Sequence, residues 1–341
     1  MKRFAITAGA ISLIAGAAHA GGVDRSGQSV RALFEEGGSS GAYAEFSFGS
    51  VNPTANGNLG GDPLQSYTQL GFAYKQNMGD AFSIALIADQ PFGASVQYPT
   101  GAPFGGSGAN VKSSALTAVG RYKMANNFSI HGGLRFQKLN GTIVSAPDTL
   151  IASSKYNVGY LIGVAYEKPE IAMRVSLTYN SKITNKMSGT ENGGPINFNI
   201  VTPQSWNLEA QTGIAANTLL FGSIRHVGWN GFNVTTPRKT YASFTGNTTT
   251  YSIGLGRKFN ENWSGAVTLG YEKPGVRPTT TALAPTTGST SIGLGATYTN
   301  GNTKITAGVT YAKLGDQNNG GGITWTGNKA IGAGIRVGVS F

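Results

Sequence analysis

His131 and His226 are the only histidines that follow the first twenty residues. A hydrolytic site built on either would need a serine and an acid or amide within reach of the imidazole. Both lie in the middle of alternating apolar stretches, and neither belongs to a His-x-Ser pair. The chain has no cysteine, and its carboxylates are scattered, so thiolate chemistry and a metal-ligand cluster are excluded. We expect no catalytic site, no metal and no cofactor.

Basic residues recur singly at alternate positions of apolar stretches, on the parity opposite to the apolar row. In the stretch 219–229, Phe221, Arg225 and Trp229 share one parity and would face inward together. An apolar wall with one guanidinium suits a hydrophobic chain with an anionic head. The predicted ligand-binding residues of the interior are Arg135, Arg174, Phe221, Arg225, Trp229, Lys258 and Arg336. The alternative is that the interior is filled by a plug, which charges such as Arg25, Glu35 and Glu209 hold to the wall.

Period-two alternation of apolar and polar residues runs from residue 43 to the end of the chain. Six short polar connections alternate with seven long loops rich in Gly, Asn, Thr and Pro, and they join fourteen alternating stretches. Outer-membrane barrels have an even number of antiparallel strands, short periplasmic turns and long outer loops. The chain is therefore predicted to be all-β, a transmembrane antiparallel β-barrel of about 14 strands over residues 43–341.

Both ends of the chain carry features of export. Residues 1–20 combine Lys2 and Arg3 with an apolar run and an Ala18-His19-Ala20 ending, the pattern of a secretory signal peptide cleaved after that triplet. In the last stretch, apolar residues alternate with Gly, Arg and Ser, and the stretch ends on Phe341. Such a terminal strand resembles the signal that the barrel-assembly machinery recognises. These features predict a protein of the Gram-negative outer membrane.

The segment between the signal peptide and the barrel, residues 21–42, lacks the strand pattern. Its apolar residues Val30, Leu33 and Phe34 have helical spacing, and serines that could cap a helix precede them. A segment of this length ahead of the first strand can fold into the lumen. We therefore predict a short helical plug, the hatch, with residues Arg25, Ser26, Gln28, Leu33 and Phe34.

The composition narrows the possible partners. Only 12% of the residues are charged, and no apolar stretch after residue 20 is long enough for a spanning helix of about 20 residues. Without Lys2 and Arg3, the formal net charge falls from +11 to +9. Because the charges are scattered without a basic run, nucleic acid is not an expected partner. Attraction to outer-membrane lipid and anionic lipopolysaccharide explains the excess better, and a closed barrel without an edge is expected to be a monomer.

Several short motifs occur in an order that resembles a known family. They are Arg25-Ser26-Gly27-Gln28-Ser29 with Leu33-Phe34-Glu35, Tyr43-Ala44-Glu45-Phe46, Val51-Asn52-Pro53, Asp89-Gln90-Pro91-Phe92-Gly93, the stretch ending at Trp229, and Gly338-Val339-Ser340-Phe341. This order resembles the FadL/TodX family of outer-membrane transporters for long-chain fatty acids and other hydrophobic compounds. Many members end a longer hatch with Asn-Pro-Ala, whereas the related triplet here, Asn52-Pro53-Thr54, falls at the end of the first strand. The hatch contacts of the family are therefore not transferred to it.

The resemblance implies passive uptake of a long-chain fatty acid or related hydrophobic ligand, with sideways release at a kink in the third strand. The candidates for this lateral gate are Asp89, Pro91, Phe92 and Gly93, because proline cannot donate a ladder hydrogen bond. The alternative at this position is that Pro91 simply ends the strand. Two alternatives to fatty-acid uptake stay open: a porin for small polar solutes and uptake of neutral aromatic hydrocarbons.

Overall fold

A computed structural model describes residues 23–58, 61–101, 104–275, 283–320 and 323–341. The predicted signal peptide, residues 1–20, and the first two residues of the predicted hatch lie outside the described residues. The strands, numbered in chain order, are β1 (Ala42–Gly57), β2 (Tyr67–Asn77), β3 (Phe82–Asp89), β4 (Gly93–Gln97), β5 (Gly108–Lys123), β6 (Phe128–Ser145), β7 (Asp148–Ser154), β8 (Asn157–Lys168), β9 (Met173–Asn180), β10 (Ile183–Glu191), β11 (Gly194–Thr202), β12 (Ser205–Ala215), β13 (Thr218–Val227), β14 (Asn233–Thr235), β15 (Thr240–Ser243), β16 (Thr248–Lys258), β17 (Trp263–Glu272), β18 (Ser289–Asn300), β19 (Thr303–Leu314), β20 (Gln317–Gly320) and β21 (Ile323–Ser340).

Fourteen of these strands form a closed antiparallel barrel, as the sequence predicted. They are β1, β2, β3, β5, β6, β8, β9, β12, β13, β16, β17, β18, β19 and β21. The last strand returns to the first, so that Tyr43 pairs with Ser340 and Val51 with Gly332. Closure pairs the backbone groups of both terminal strands, and a lipid environment requires this because it offers them no water.

The alternation of side chains decides which residues meet lipid. On β8, Tyr160 and Ile162 are 53% and 59% exposed on the outside, whereas Leu161 and Ala165 are buried in the lumen. The same alternation along the other strands clothes the exterior in apolar side chains. Aromatic residues lie near both ends of this surface, with Tyr122 and Phe259 at the short-turn end and Tyr271 and Tyr311 at the long-loop end. This is the exterior of a membrane-spanning barrel.

The remaining strands build up the wall on the side of the long loops. The hairpin of β10 and β11 pairs with β7, which itself pairs with the upper part of β6. The small hairpin of β14 and β15 packs its Val234 and Tyr241 against Leu139, Ile143 and other apolar residues of these strands. The long loops therefore have a hydrophobic core of their own above the membrane-spanning part.

The hatch lies inside the barrel, but it is not the helix that the spacing predicted. Its regular structure is one 3₁₀ turn over Arg31–Phe34. Gln28 has a positive φ of 54°, and the Ser29 hydroxyl accepts a hydrogen bond from the backbone N–H of Arg31, so the preceding residues adopt a local turn that does not extend into a helix. No helix in the described ranges is long and apolar enough to cross a membrane.

Apolar residues of the hatch fill the lower lumen. Leu33 is fully buried, and it packs with Val30 and Phe34 against Ala73, Ala165 and other luminal residues of the wall. Small wall residues leave the space that these larger hatch side chains occupy. Burying each large apolar side chain stabilises the hatch by roughly 1.5–3 kcal/mol.

The cost of placing a charge on the exterior should depend on its depth in the bilayer, and one row of side chains can test this. We expect Ile162→Arg, in the middle of the exterior row of β8, to lower the free energy of unfolding in lipid vesicles by about 2–4 kcal/mol. The matched variant Tyr156→Arg carries the same charge at the long-loop end of that row and should cost about 0–1 kcal/mol. Equal costs at the two positions, measured by urea unfolding, would contradict the proposed membrane position.

Candidate functional site

An ion pair anchors the start of the hatch to β13, the ninth strand of the barrel wall. Arg225 Nε and Nη2 contact the two carboxylate oxygens of Asp24 at 2.6 and 3.1 Å. The same guanidinium donates to Ser205 Oγ at 3.1 Å and Asn207 Oδ1 at 2.8 Å on the wall, and to Gln28 Oε1 at 3.3 Å on the hatch. Arg225 was predicted to contact the ligand, but its guanidinium is occupied by protein partners.

A second charge network seals the floor of the lumen. Arg31 of the hatch contacts both Glu35 and Glu45, and the Glu45 carboxylate also lies 3.7 Å from Arg336 Nε. Lys304 Nζ is 3.9 Å from Glu35 Oε2. Arg336, a predicted ligand residue, therefore lies at the contact between the hatch and the wall, where opposite charges compensate one another.

Phe34 is held between cationic side chains of the wall. The Arg121 and Arg174 guanidinium carbons lie 4.5 and 4.9 Å from its ring centroid, and the His131 ring meets it edge-on at 5.7 Å. Arg174 also donates to Gln211 Oε1 at 3.3 Å. The cation–π contacts position the hatch side chain and, when desolvated, are worth about 2 kcal/mol each.

The remaining predicted residues are dispersed along the lumen. Phe221 lies beside Arg174 in a small cavity that Arg31 of the hatch also lines. Lys258 ends β16 on the short-turn side, apart from that cavity. Arg135 is buried with Nη1 3.5 Å from Asp89 Oδ2, and its Nε has no hydrogen-bond partner. The predicted set is therefore distributed around the hatch and does not form one pocket.

The two histidines are also accounted for by neighbours on the wall. His131 Nε2 lies 2.9 Å from Thr178 Oγ1, and His226 Nδ1 lies 2.8 Å from Thr249 Oγ1. Among the described residues, no group of three or more histidine, aspartate or glutamate side chains is placed to hold a metal ion.

An apolar cavity of about 140 Å³ lies above the hatch. Aromatic side chains dominate one side of it, where Trp229 packs against Phe92, Phe232 and Phe244 with centroid distances of 5.6, 5.1 and 5.5 Å. Tyr241 from β15 also lines it, and burial, together with its hydrogen bond to Glu191, raises the pKa of this phenol, so the side chain stays neutral. The cavity can accommodate a hydrophobic group without desolvating charge on this side.

Arg25 of the hatch is the one charged residue among the described side chains that line this cavity. Its guanidinium carbon lies 3.3 Å from the centroid of the Tyr67 ring, and Nη2 donates to Ser95 Oγ at 3.2 Å. Nε is buried without a hydrogen-bond partner. Tyr67 lies on β2 and Ser95 on β4, so a single hatch side chain spans two wall strands.

The wall is open between those two strands. Pairing of β2 with β3 ends at Phe72 and Ala88, while β2 continues to Tyr67 beside β1 alone. Above the opening, the wall closes again at an isolated bridge between Leu64 and Val96. The result is a slot in the hydrogen-bond ladder with paired backbone at both ends.

Local sequence explains the slot. Asp89 pairs with Ala115, but Gly93 pairs with Lys112, so the segment between them contains one residue more than its partner strand. The extra residue at Pro91 turns the segment between β3 and β4 away from β2, as expected for a β-bulge. Two predictions were made for Pro91, a strand end and a kink in the wall. The structure has features of both, because β3 ends at Asp89 and the chain then resumes pairing with β5 as β4.

The start of the hatch pairs with the edge that β2 leaves free. Arg25 N–H donates to the Pro91 carbonyl at 2.8 Å, and Gly93 N–H donates to the Val23 carbonyl at 2.9 Å. Ser26 donates to the Asp89 carboxylate. A cavity of about 520 Å³ occupies the slot outside this contact, and Arg25, Phe92 and Gly93 line both this cavity and the apolar one.

Sequence reasoning missed several residues that complete the site. Tyr67 and Ser95 hold Arg25, and Phe232 and Phe244 enclose Trp229. Phe232 and Phe244 belong to a long loop, where no period marks which side chains face inward. Tyr67 starts a strand, but its partner comes from the hatch, so no local spacing joins the two.

The anchoring role of Arg225 can be measured with a single cysteine, since the chain has none of its own. In an Ala32→Cys background, whose thiol would be buried, we expect Arg225→Met to speed thiol labelling at least about tenfold. Removing one partner of a buried ion pair typically costs about 3–5 kcal/mol, and this loss would favour opening of the hatch. The control Arg257→Met, on the neighbouring β16, removes an exposed guanidinium that bonds only Thr218 in the described part of the chain and should leave the labelling rate unchanged.

The architecture of this barrel has counterparts among solved structures. No sequence model of a protein family matches the chain, and no curated protein is detectably similar to it. Among solved structures, it is similar to a Pseudomonas aeruginosa FadL homologue, with a TM-score of 0.70 at 15% identity over 88% of this chain and 90% of that one. The Pseudomonas putida toluene transporter TodX gives 0.62 at 13% identity over 96% and 98% of the two chains.

The Ralstonia pickettii toluene transporter TbuX gives a TM-score of 0.59 at 12% identity over 91% of each chain. Identities this low establish shared architecture, and the resemblance seen in the sequence is confirmed at that level. The chain is an outer-membrane β-barrel with the fold of the FadL and TodX channels.

Proposed function

We propose that this protein takes up long-chain fatty acids or related hydrophobic compounds across the outer membrane by passive diffusion. The observation that carries the proposal is the apolar cavity above the hatch, which borders the slot in the barrel wall at Arg25, Phe92 and Gly93. A hydrophobic compound crosses the polar surface of the membrane slowly unless it is shielded. A cavity that leads into the bilayer through the wall provides that shielding.

The ligand head would bind at Arg25. This guanidinium is buried, borders the apolar cavity and has an unpartnered Nε. A carboxylate satisfies a buried guanidinium better than a neutral hydroxyl does, because charge-assisted hydrogen bonds are roughly twice as strong. Arg225 and Arg336, two other cations near the hatch, already have carboxylate partners. We therefore assign the carboxylate contact to Arg25, and the remaining luminal cations to holding the hatch.

Binding at Arg25 would also open the slot. The same side chain stacks on Tyr67 and bonds Ser95, so it holds the two sides of the slot together. A carboxylate that draws the guanidinium into the cavity removes both contacts. The acyl chain then leaves sideways between β2 and β4, into the bilayer.

A second candidate, uptake of neutral aromatic compounds, is favoured by the size and lining of the cavity. Its volume of about 140 Å³ is close to that of an engineered apolar cavity of about 150 Å³ that binds benzene. TodX and TbuX are described as toluene transporters. An alkyl chain of fatty-acid length would have to extend from this cavity into the slot.

Uptake assays separate the two candidates. We expect Gram-negative cells that lack their own fatty-acid transporter to accumulate labelled oleate when this protein is present in the outer membrane. Excess toluene should reduce that uptake, because both compounds would use the same apolar cavity. Accumulation of toluene without oleate would favour the aromatic candidate, and high conductance to small ions in planar bilayers would favour a polar-solute channel.

Arg25 supplies the sharpest test of ligand class. Arg25→Met retains much of the apolar stem but removes the charge, so oleate uptake should fall by about tenfold, while toluene uptake should not fall. Arg257→Met, which removes an exposed guanidinium on β16, is the matched control and should behave as the unmodified protein. Loss of both substrates in Arg25→Met would indicate damage to the hatch, and an unchanged oleate rate would exclude the carboxylate contact.

The lateral route depends on the extra residue at the kink. Deleting Gln90 and replacing Pro91 with Val should restore continuous pairing with β5 and narrow the slot, so uptake should fall by about tenfold or more. Pro91→Ala alone keeps the extra residue and should retain most uptake. Normal uptake through the deletion variant, once shown to be folded, would exclude release through the slot.

A further inference from the structure

Exposed charges are distributed unequally between the two ends of the barrel. In the described part of the chain, four of the five exposed carboxylates lie at the short-turn end, on Glu36, Asp80, Glu170 and Glu261, and the fifth, Asp316, lies in the loop after β19. Exposed lysines occur at both ends. At the long-loop end they are Lys112, Lys155, Lys182, Lys186, Lys273, Lys313 and Lys329. The long-loop rim is therefore positively charged on its outer face.

Three lysines form a row across neighbouring strands of this rim. Lys138 on β6 lies two residues before Asn140, which pairs with Ser153 on β7, so Lys155 is its neighbour across the hairpin. Lys155 follows Ser154, the residue that pairs with Met187, so its neighbour on β10 is Lys186. Adjacent strands are about 4.8 Å apart, so the three ammonium groups lie within reach of one ligand.

The register also fixes which way these lysines face. Leu139 lines the internal cavity, so its neighbour Lys138 points outward, and Met187 is buried beside the exposed Lys186. None of the ion pairs in the described ranges includes any of the three ammonium groups. A row of like charges without carboxylates is unfavourable on its own and is stabilised by an anionic partner.

The apolar surface below the row identifies the type of partner. Phe136 lies two residues below Lys138 on the same face, and Tyr156, Val158 and Tyr160 are 60%, 55% and 53% exposed beside it. A ligand that covers both parts must be anionic above and apolar below. In the outer leaflet this describes a phosphorylated glycolipid, whose phosphates would lie at the lysines and whose acyl chains would lie against the aromatic rim.

We propose that Lys138, Lys155 and Lys186 form a binding site for the phosphate groups of the outer-leaflet glycolipid. The site is on the exterior and does not depend on which compound the lumen transports. The same arrangement recurs across the barrel, where Lys313 pairs directly with Lys329 above Tyr311 and Ile331. Like charges in directly opposed positions require the same compensation, so the rim as a whole is adapted to an anionic leaflet.

Native mass spectrometry of the folded protein, titrated with bisphosphorylated lipid A, tests the site. The triple variant Lys138→Ser, Lys155→Ser and Lys186→Ser should bind between about tenfold and hundredfold more weakly. The matched control is Lys168→Ser, which changes an exterior lysine of β8 at the short-turn end. This variant should bind as the unmodified protein does. Lys112 is left unchanged because it also borders the slot in the wall.

Dephosphorylated lipid A separates phosphate recognition from acyl contact. The unmodified protein should bind it as weakly as the triple variant binds the phosphorylated form. The proposal is overturned if the unmodified protein binds both lipids equally, or if the triple variant loses no affinity. Should the triple variant fail to give a folded barrel by gel mobility, Lys155→Glu alone places a carboxylate in the row, and unchanged affinity in that variant would equally overturn it.

Discussion

The need to pair every backbone N–H and C=O group in lipid is the constraint on which this structure depends. A bilayer offers no water to an unpaired strand edge, so the fourteen strands close on themselves, and β21 returns to β1. The place where β2 and β3 stop pairing is informative for that reason. There the wall leaves an edge unpaired by its neighbour, and Val23 and Arg25 of the hatch pair with part of it. The hatch is thus a substitute for missing wall as well as a plug.

Charge balance inside the barrel follows from the same environment. Cations and carboxylates would be costly in a narrow lumen unless they were paired. Arg225 with Asp24, and Arg31 with Glu35 and Glu45, meet that requirement, and each pair includes a residue of the hatch. Removing the hatch would therefore expose several charges at once. Arg25 differs from these pairs because its partners are the Tyr67 ring and the Ser95 hydroxyl.

The outer surface responds to a different solvent at each depth. Apolar residues face the hydrocarbon, aromatic residues mark its limits, and above them most of the exposed ionisable side chains described on the long-loop side are basic. A small positive net charge that appeared scattered in the sequence is therefore ordered in space. Luminal cations such as Arg31 and Arg225 are paired with carboxylates, and the long-loop rim carries exposed lysines.

Much of this protein follows from sequence alone. Alternation of apolar and polar residues within the fourteen stretches between residue 43 and Phe341 specifies the strands and their facing, because a single-residue shift would bring polar side chains into lipid. The fourteen strands were predicted in this way, whereas the kink in the third strand was expected from the family resemblance, with Pro91 as its candidate. The hatch was placed correctly in the lumen but predicted as a helix, since the spacing of Val30, Leu33 and Phe34 carries no information on the turn at Gln28.

Only the tertiary structure decided how the luminal charges are used. Arg25 and Tyr67 are 42 positions apart, and Asp24 and Arg225 are 201 apart, so no local pattern joins them. Barrel closure and insertion of the hatch bring each pair together. Periodicity determines the face on which a side chain lies, because it is a property of one strand. Which side chains contact one another is a property of the closed barrel with the hatch inside it, so only the tertiary structure determines it.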